Sequence, residues 1–290
     1  MGLRTKFNLA VFAAFLVGFA LAAIGLQRLF VDNARGQVVQ NARIMMSAAD
    51  GVRRYTDMQV APLLGFESGG KFMTAAVPFF AAVTVFKDVQ KQFPDYTYRE
   101  PALNPTNPSD RATDWEADFI NSFRNDANLH ELVGERDTPT GRSLSLARPI
   151  AVDSADCLAC HSTPDRAPPA MLASYGRDHG FGWQMHEIVG AHVVSVPMAL
   201  PLAAARHAFI VFMAILLATF VVVMVILNVL LHYTVIRPVM RVARIANAVS
   251  LGDSDAEEYE KKGRDEIAVL SAAFNRMRRS LDSAMRMLER

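Results

Sequence analysis

The sequence lacks much of what several large function classes require. It has only two cysteines in 290 residues, so no disulfide framework and no second Cys pair to complete a structural zinc site are available. Its formal net charge is +1 with 20% charged residues, which gives no sign of nucleic-acid binding. There is no internal repeat and no low-complexity tract. Charge is also missing locally. Asn8–Leu26 holds no charged residue, and Ala208–Leu231 has Asn228 as its only strongly polar one. Each run is long enough to cross a ~30 Å hydrocarbon layer as a helix. A purely soluble protein is thereby excluded.

The first run exceeds the roughly 7–15 residues of a signal-peptide core, and no small-x-small cleavage site follows it, so it reads as an uncleaved anchor. Arg4 and Lys6 precede it, and Arg237, Arg241 and Arg244 follow the second run. By the positive-inside rule both flanks are cytoplasmic. The expected organisation is a cytoplasmic N-terminus (1–7), a first span (8–27), an outward-facing domain (28–206), a second span (207–232) and a cytoplasmic C-terminal piece (233–290). The chain is expected in a bacterial inner membrane, with its central domain in the periplasm.

Both cysteines fall in Cys157-Leu158-Ala159-Cys160-His161. CxxCH is the attachment signature of haem c. Two thiols at i and i+3 add to the two vinyl groups of one porphyrin, and the adjacent histidine reaches the iron from the same side. The competing readings are a zinc site, a thioredoxin-like redox pair lacking its βαβ context, and a simple disulfide. His161 is the proximal ligand of the haem reading. With no third cysteine, the distal ligand is a methionine (Met45, Met46, Met58, Met73, Met171, Met185, Met198) or a histidine (His130, His179, His186, His192).

The outer domain reads as α+β. A long helix is expected over Ala34–Leu64, with Val38, Ala42, Met45, Ala49 and Val52 as its apolar stripe and Pro62 limiting it. A second helix is expected over Val77–Gln92 and a strand at Tyr96–Arg99. A helix through Trp115–Arg124 is expected to be capped by Asp114. Ser143–Ile150 alternates as a strand. Pro164, Pro168 and Pro169 keep the loop after His161 irregular. Gly180–Met198 reads as a two-stranded hairpin with a turn or bulge near Glu187–Gly190. In the C-terminal piece, Val239, Val242, Ala246 and Val249, then Ile267, Leu270, Phe274, Met277, Leu281, Ala284 and Leu288, keep heptad-like spacing. Such narrow stripes suit a four-helix bundle built from two chains.

With Pro238 opening its first helix, Asp265-Glu266 opening its second, and Asn275, the C-terminal piece resembles a HAMP domain, the signal-relay module of bacterial receptors. The outer segment resembles a family of PAS-like, c-haem-carrying sensor domains. The matching residues are Arg53–Thr56, Pro62–Leu64, the YREPALNPTNPSDRATDWEADFI run, Ala147–Ile150, CLACH, Ala167-Pro168, Tyr175-Gly176 and GFGWQMHEIVGAHVVSVPM. The resemblance implies a PAS-like periplasmic domain between two transmembrane helices, followed by a parallel coiled coil. Related members carry a distal Cys or His a few residues before a Val-Pro or Ala-Pro pair. Here Met73 stands in that place before Val77-Pro78, followed in rank by Met45 and Met46, and then by an open or water-bound site. Arg99 and Arg148 lie in the matching blocks and are candidates for haem-propionate contacts, with exposed surface arginine as the alternative.

The expected function is a homodimeric sensor relaying a redox or gas signal across the membrane, with no catalytic activity of its own. A membrane-anchored electron-transfer cytochrome is the alternative, but it gives no reason for a second span and a heptad relay. No phosphate-cradling glycine loop or phosphoacceptor-histidine domain follows the second heptad helix. Either a separately encoded output protein is an expected partner or the chain is a shortened receptor; both readings make the surface around Ala284–Arg290 the expected docking end.

Overall fold

The computed structural model describes residues 2–139, 141–251, 253, 257–261 and 263–288; Glu289 and Arg290 of the expected docking end lie outside them. The chain divides into two compact units, one formed by Leu26–Phe209 and the other by Met1–Gly25 with Ile210–Arg290. The helices are α1 (Leu3–Tyr55), α2 (Ala61–Leu64), α3 (Pro78–Gln92), α4 (Asp114–Asn125), α5 (Ala155–His161), α6 (Pro169–Tyr175), α7 (Ala199–Leu231), α8 (Arg237–Ser250) and α9 (Glu266–Leu288). The strands are β1 (Glu67–Ser68), β2 (Lys71–Phe72), β3 (Thr97–Arg99), β4 (Leu132–Thr138), β5 (Gly141–Ala151) and β6 (Ile188–Pro197). Among the described residues, two helices are long and apolar enough to cross a membrane.

In the Leu26–Phe209 unit, β3, β6, β5 and β4 form an antiparallel sheet in that order, and β1 and β2 make a separate short hairpin. Tyr98, Val194 and Leu146 lie opposite one another across the strands. That face packs on Val38, Ala42, Met46 and Ala49 of α1 and on Ala82 and Phe86 of α3. The alternate residues Val193 and Ala147 point the other way, against Ile120 and Phe123 of α4. Period-2 strands thus present two apolar faces, each covered by an amphipathic helix.

Several expectations need correction. The buried stripe of α1 runs through Ala34, Val38, Ala42, Met46 and Ala49, so Met46 replaces Met45, which sits at its flank with Val52. The helix passes into a π-helical stretch over Thr56–Val60 before α2. The N-cap of α4 is Thr113, not Asp114. The Glu116 carboxylate reaches back to accept from the Thr113 backbone N–H at 2.9 Å and hydroxyl at 2.8 Å, the reciprocal logic of a capping box. Strand β4 was not anticipated: Glu135, Arg136 and Asp137 mask its alternation. The segment after His161 contains α6 rather than remaining irregular. Gly180–Glu187 is not a strand either. Only β6 forms, with a bulge where Ile150 faces Gly190 and Ala151 faces Ile188.

In the other unit, Phe15 and Phe220 stack with centroids 3.6 Å apart. C-terminal to α7, α8 and α9 are joined by a connector tied down at Tyr259. Its carbonyl accepts from Asn275 Nδ2 at 3.1 Å and from the Ser271 hydroxyl, and the Arg241 guanidinium sits 4.8 Å from the centre of its ring. Asp265 caps α9 by accepting from the Ala268 N–H at 2.8 Å.

Candidate functional site

The cysteine pair lies on α5, a two-turn helix that Ser154 starts by accepting from the Asp156 N–H at 3.1 Å. Cys157, Cys160 and His161 occupy i, i+3 and i+4, one face of that helix. Both thiols are free and half-buried, and burial pushes that of Cys160 up, keeping it protonated.

The imidazole of His161 is held on three sides. Its Nδ1 donates to the Gly180 carbonyl at 2.8 Å, and the Thr106 hydroxyl stands 3.4 Å from the same nitrogen. Trp183 stacks on the ring at 4.0 Å between centroids and 13° between planes. Burial pushes the pKa of His161 down, only partly opposed by the Gly180 bond, so the ring is neutral. With the proton fixed on Nδ1, the lone pair is on Nε2. A backbone carbonyl accepting from one ring nitrogen leaves the other nitrogen oriented for a metal, as in histidine-ligated sites generally.

The Gly180–Trp183 segment owes its shape to the LNPTNP block. Asn104 accepts from the Gly180 N–H through Oδ1 and donates through Nδ2 to the Phe181 carbonyl, each at 3.3 Å. Gly180 has φ +78°, and a Cβ there collides with Thr106; only glycine combines that dihedral with so close an approach. The Gly182 N–H reaches the Ser162 carbonyl at 3.0 Å and the Trp183 N–H that of His161 at 3.3 Å. The Ser162 hydroxyl is buried with no hydrogen-bond partner among the described residues. These clamp residues lie in the quoted sequence blocks, but periodicity gave no hint of their role.

The distal candidates scatter. Met46 is fully buried in the core with Val38, Leu144 and Leu146; it is packing. Met198 belongs to the same cluster, and Met171 is also buried. Met45 is partly buried beside that core, while Met58 and Met185 are exposed. Met73 is half-buried, directly after β2, whose Phe72 meets Tyr175 of α6 edge-on at 6.1 Å. His130, His179 and His186 are exposed.

His192 belongs instead to a polar cluster that the sequence reading missed. Glu100 is buried on the α1 face of the sheet, paired with Arg53. Tyr98 donates to Glu100 at 2.6 Å, so at 3.1 Å from His192 Nδ1 it accepts, which places the proton on that nitrogen. Burial pushes the Glu100 carboxyl up, but hydrogen bonding from His192 and the charge of Arg53 outweigh it and hold the group below the usual range. Both candidate propionate arginines have protein partners: Arg99 pairs with buried Glu116 at 3.1 Å, and Arg148 with Glu131 at 3.0 Å and Asp50 at 3.5 Å.

Two reduced thiols and a neutral imidazole anchored through Nδ1, all on one helix face, match the donor set of a covalently attached haem. Among the described residues no group of three or more His, Cys, Asp or Glu side chains converges as a metal cage, so the closed zinc alternative finds no ligands there.

A family model described as Tll0287-like matches residues 31–197, and one described as HAMP domain matches residues 230–283. The crystal structure of the cyanobacterial heme-protein Tll0287 is similar at 20% identity, covering 55% of this chain and 94% of that chain, with a TM-score of 0.43. No curated protein matches.

Proposed function

This chain belongs to the Tll0287-like family and carries a HAMP domain, and from that premise we propose that it is a membrane-bound c-type-haem sensor relaying a redox or gas signal. The observation that carries the haem is the Nδ1 anchor of His161, 2.8 Å from the Gly180 carbonyl, on the same helix face as two free thiols. Cys157 and Cys160 would hold the group covalently and His161 would be its proximal ligand. When bound, a haem of this type supplies a one-electron iron couple. The chain's own residues keep the imidazole neutral, fix its plane through Trp183 and set its tautomer through Gly180.

Met73 is the proposed distal ligand, supported by the packing of the β1–β2 hairpin on α6. Met45 ranks next. Met46 ranks last, because withdrawing it from the core leaves a cavity costing about 2–5 kcal/mol. Arg99 and Arg148 remain proposed propionate contacts, although each must share its guanidinium with a carboxylate already in place.

We place the central domain in the periplasm, supported by the basic flanks of both spans and by a covalent attachment that suits an exported domain. The four-stranded antiparallel sheet with a long helix on one face supports a PAS-like description. HAMP modules are signal-relay elements, which favours sensing over the electron-transfer alternative; a chain without catalysis of its own is part of the same proposal. Homodimerisation through α8 and α9 is part of the proposal, as is a separately encoded cytoplasmic output protein.

The test is a denaturing gel stained for covalent haem, using membranes from cells with a working cytochrome-maturation apparatus. Wild type is expected to stain and the Cys157→Ala, Cys160→Ala protein not to; equal staining overturns the haem. In the same preparations, Met73→Ala is expected to remove a weak sulfur-to-iron band at the red end of the oxidised spectrum. Its removal by Met45→Ala instead reassigns the distal ligand.

A further inference from the structure

The unit containing both membrane helices has a polar cleft that the haem chemistry does not use. Asn8 and Asn228 exchange side-chain hydrogen bonds in both directions, each at 3.0 Å, and Arg4 Nε donates to Asn228 Oδ1 at 3.2 Å. Together with His232 and Tyr233 these residues line a cleft of about 620 Å³ whose apolar wall includes Val225 and Val229. A π-helical stretch begins at His232, and two consecutive side chains, His232 and Tyr233, both line the cleft. Thr234 Oγ1 satisfies the Leu230 carbonyl at 2.6 Å. Such π insertions recur at functional positions.

The charge of this cleft is unbalanced. Neither Met1–Val31 nor Ala199–Ser250 contains an aspartate or a glutamate. Arg4 uses only Nε, and on a neutral amide; the four N–H groups of its terminal nitrogens have no acceptor among the described residues. Arg4 is exposed, so its guanidinium fork is open to an acceptor from outside the chain, and its planar geometry suits a phosphate. Val225 and Val229 are 58% and 50% exposed along the same wall, a surface for acyl chains. Basic pockets between membrane helices hold lipid head groups in this way.

We propose that this cleft is a binding site for the head group of an anionic phospholipid, with Arg4 on the phosphate, His232 and Tyr233 hydrogen-bonding beside it, and the acyl chains along Val225 and Val229. The proposal rests on both helices lying in a bilayer and is independent of the haem.

The test uses the full chain in phosphatidylcholine vesicles containing trace spin-labelled phosphatidylglycerol or spin-labelled phosphatidylcholine. The readout is the ratio of their association with the protein, taken from the motionally restricted fraction. Wild type is expected to favour phosphatidylglycerol about fivefold, the preference of one well-placed basic group. Arg4→Gln is expected to bring the ratio close to one. Arg237→Gln, which removes a basic residue outside the cleft, is expected to leave most of it. A wild-type ratio near one, or an unchanged ratio in Arg4→Gln, overturns the site. So does an equal loss in Arg237→Gln, which makes the preference a general property of the basic flanks. Loss of the preference on adding inorganic phosphate identifies free phosphate as the ligand and also overturns the lipid assignment. If Arg4→Gln fails to insert, Val225→Trp with Val229→Trp fills the wall along which the acyl chains are placed; it is expected to abolish the preference, and an unchanged ratio there overturns the site.

Discussion

At the scale of single residues, the Leu26–Phe209 unit concentrates its chemistry in two buried side chains with opposite demands. His161 must be neutral and oriented, and burial with one carbonyl achieves both. Glu100 must be charged although its side chain is only 1% exposed, and Arg53, Tyr98 and His192 together make that tolerable. Because its folded pKa is lowered, the stabilisation from Glu100 is fully present above the unfolded carboxylate value and is lost as pH falls through the folded one. Replacing it leaves Arg53 without its partner. The expected cost lies below the ~3–5 kcal/mol of a fully buried pair, since the Arg53 side chain keeps 26% exposure. Thermal unfolding of Glu100→Gln should therefore show a midpoint several degrees lower at neutral pH, with the gap to wild type narrowing on acidification below about pH 4. A gap that stays constant down to pH 3 would show that folding does not lower the pKa of Glu100.

At the scale of elements, the loop from Gly180 to Glu187 deserves comparison with its sequence. Its Gly, Phe, Trp and Met alternate as a strand does, and pattern alone placed it in a hairpin with β6. It is instead a clamp, because Gly180 adopts a left-handed dihedral and Asn104 takes up both backbone groups that a sheet partner would need. Asn104→Leu is expected to raise hydrogen-exchange rates across Gly180–Glu187 and α5 while leaving β5 and β6 protected; unchanged exchange there would mean that Trp183 alone holds the segment. Where the pattern and the local chemistry agree, the sequence was readable: α3, β3, β5 and the apolar spans follow from periodicity and from Pro78 as a helix starter. Legibility failed where long-range partners decide. The α4 cap depends on Glu116 reaching back to Thr113, β4 is identified by its pairing with β5, and the Glu100 cluster assembles residues from α1, β3 and β6 that no short window contains. The CxxCH motif was legible because its two cysteines and one histidine lie within five consecutive residues; the Nδ1 anchor, 19 residues away, was not.

At the scale of the whole molecule, the relay depends on whether α9 leaves an apolar face for a second copy. Ala268, Ser271 and Asn275 are buried within the chain, with Ser271 and Asn275 tied to the connector at Tyr259. Leu270, Met277 and Leu281 of the heptad stripe remain 46%, 63% and 51% exposed. The intramolecular contact thus uses one side of α9, half-covers Ile267 and Phe274 and leaves those three positions open, a pattern that suits burial against a partner's helix. Met277→Cys and Leu281→Cys are accordingly expected to form disulfide-linked dimers in membranes, and Ala273→Cys, outside the stripe, far fewer. If iron oxidation biases this bundle, cross-linking must differ between oxidised and reduced membranes. The difference is expected to be partial, since a full swing from 1:99 to 99:1 requires about 5.5 kcal/mol. A tenfold change in the cross-linked ratio corresponds to about 1.4 kcal/mol, within reach of one changed ligand bond in each of two copies. Identical cross-linking in both states would leave the bundle uncoupled from the iron and favour electron transfer as the role of the Leu26–Phe209 unit.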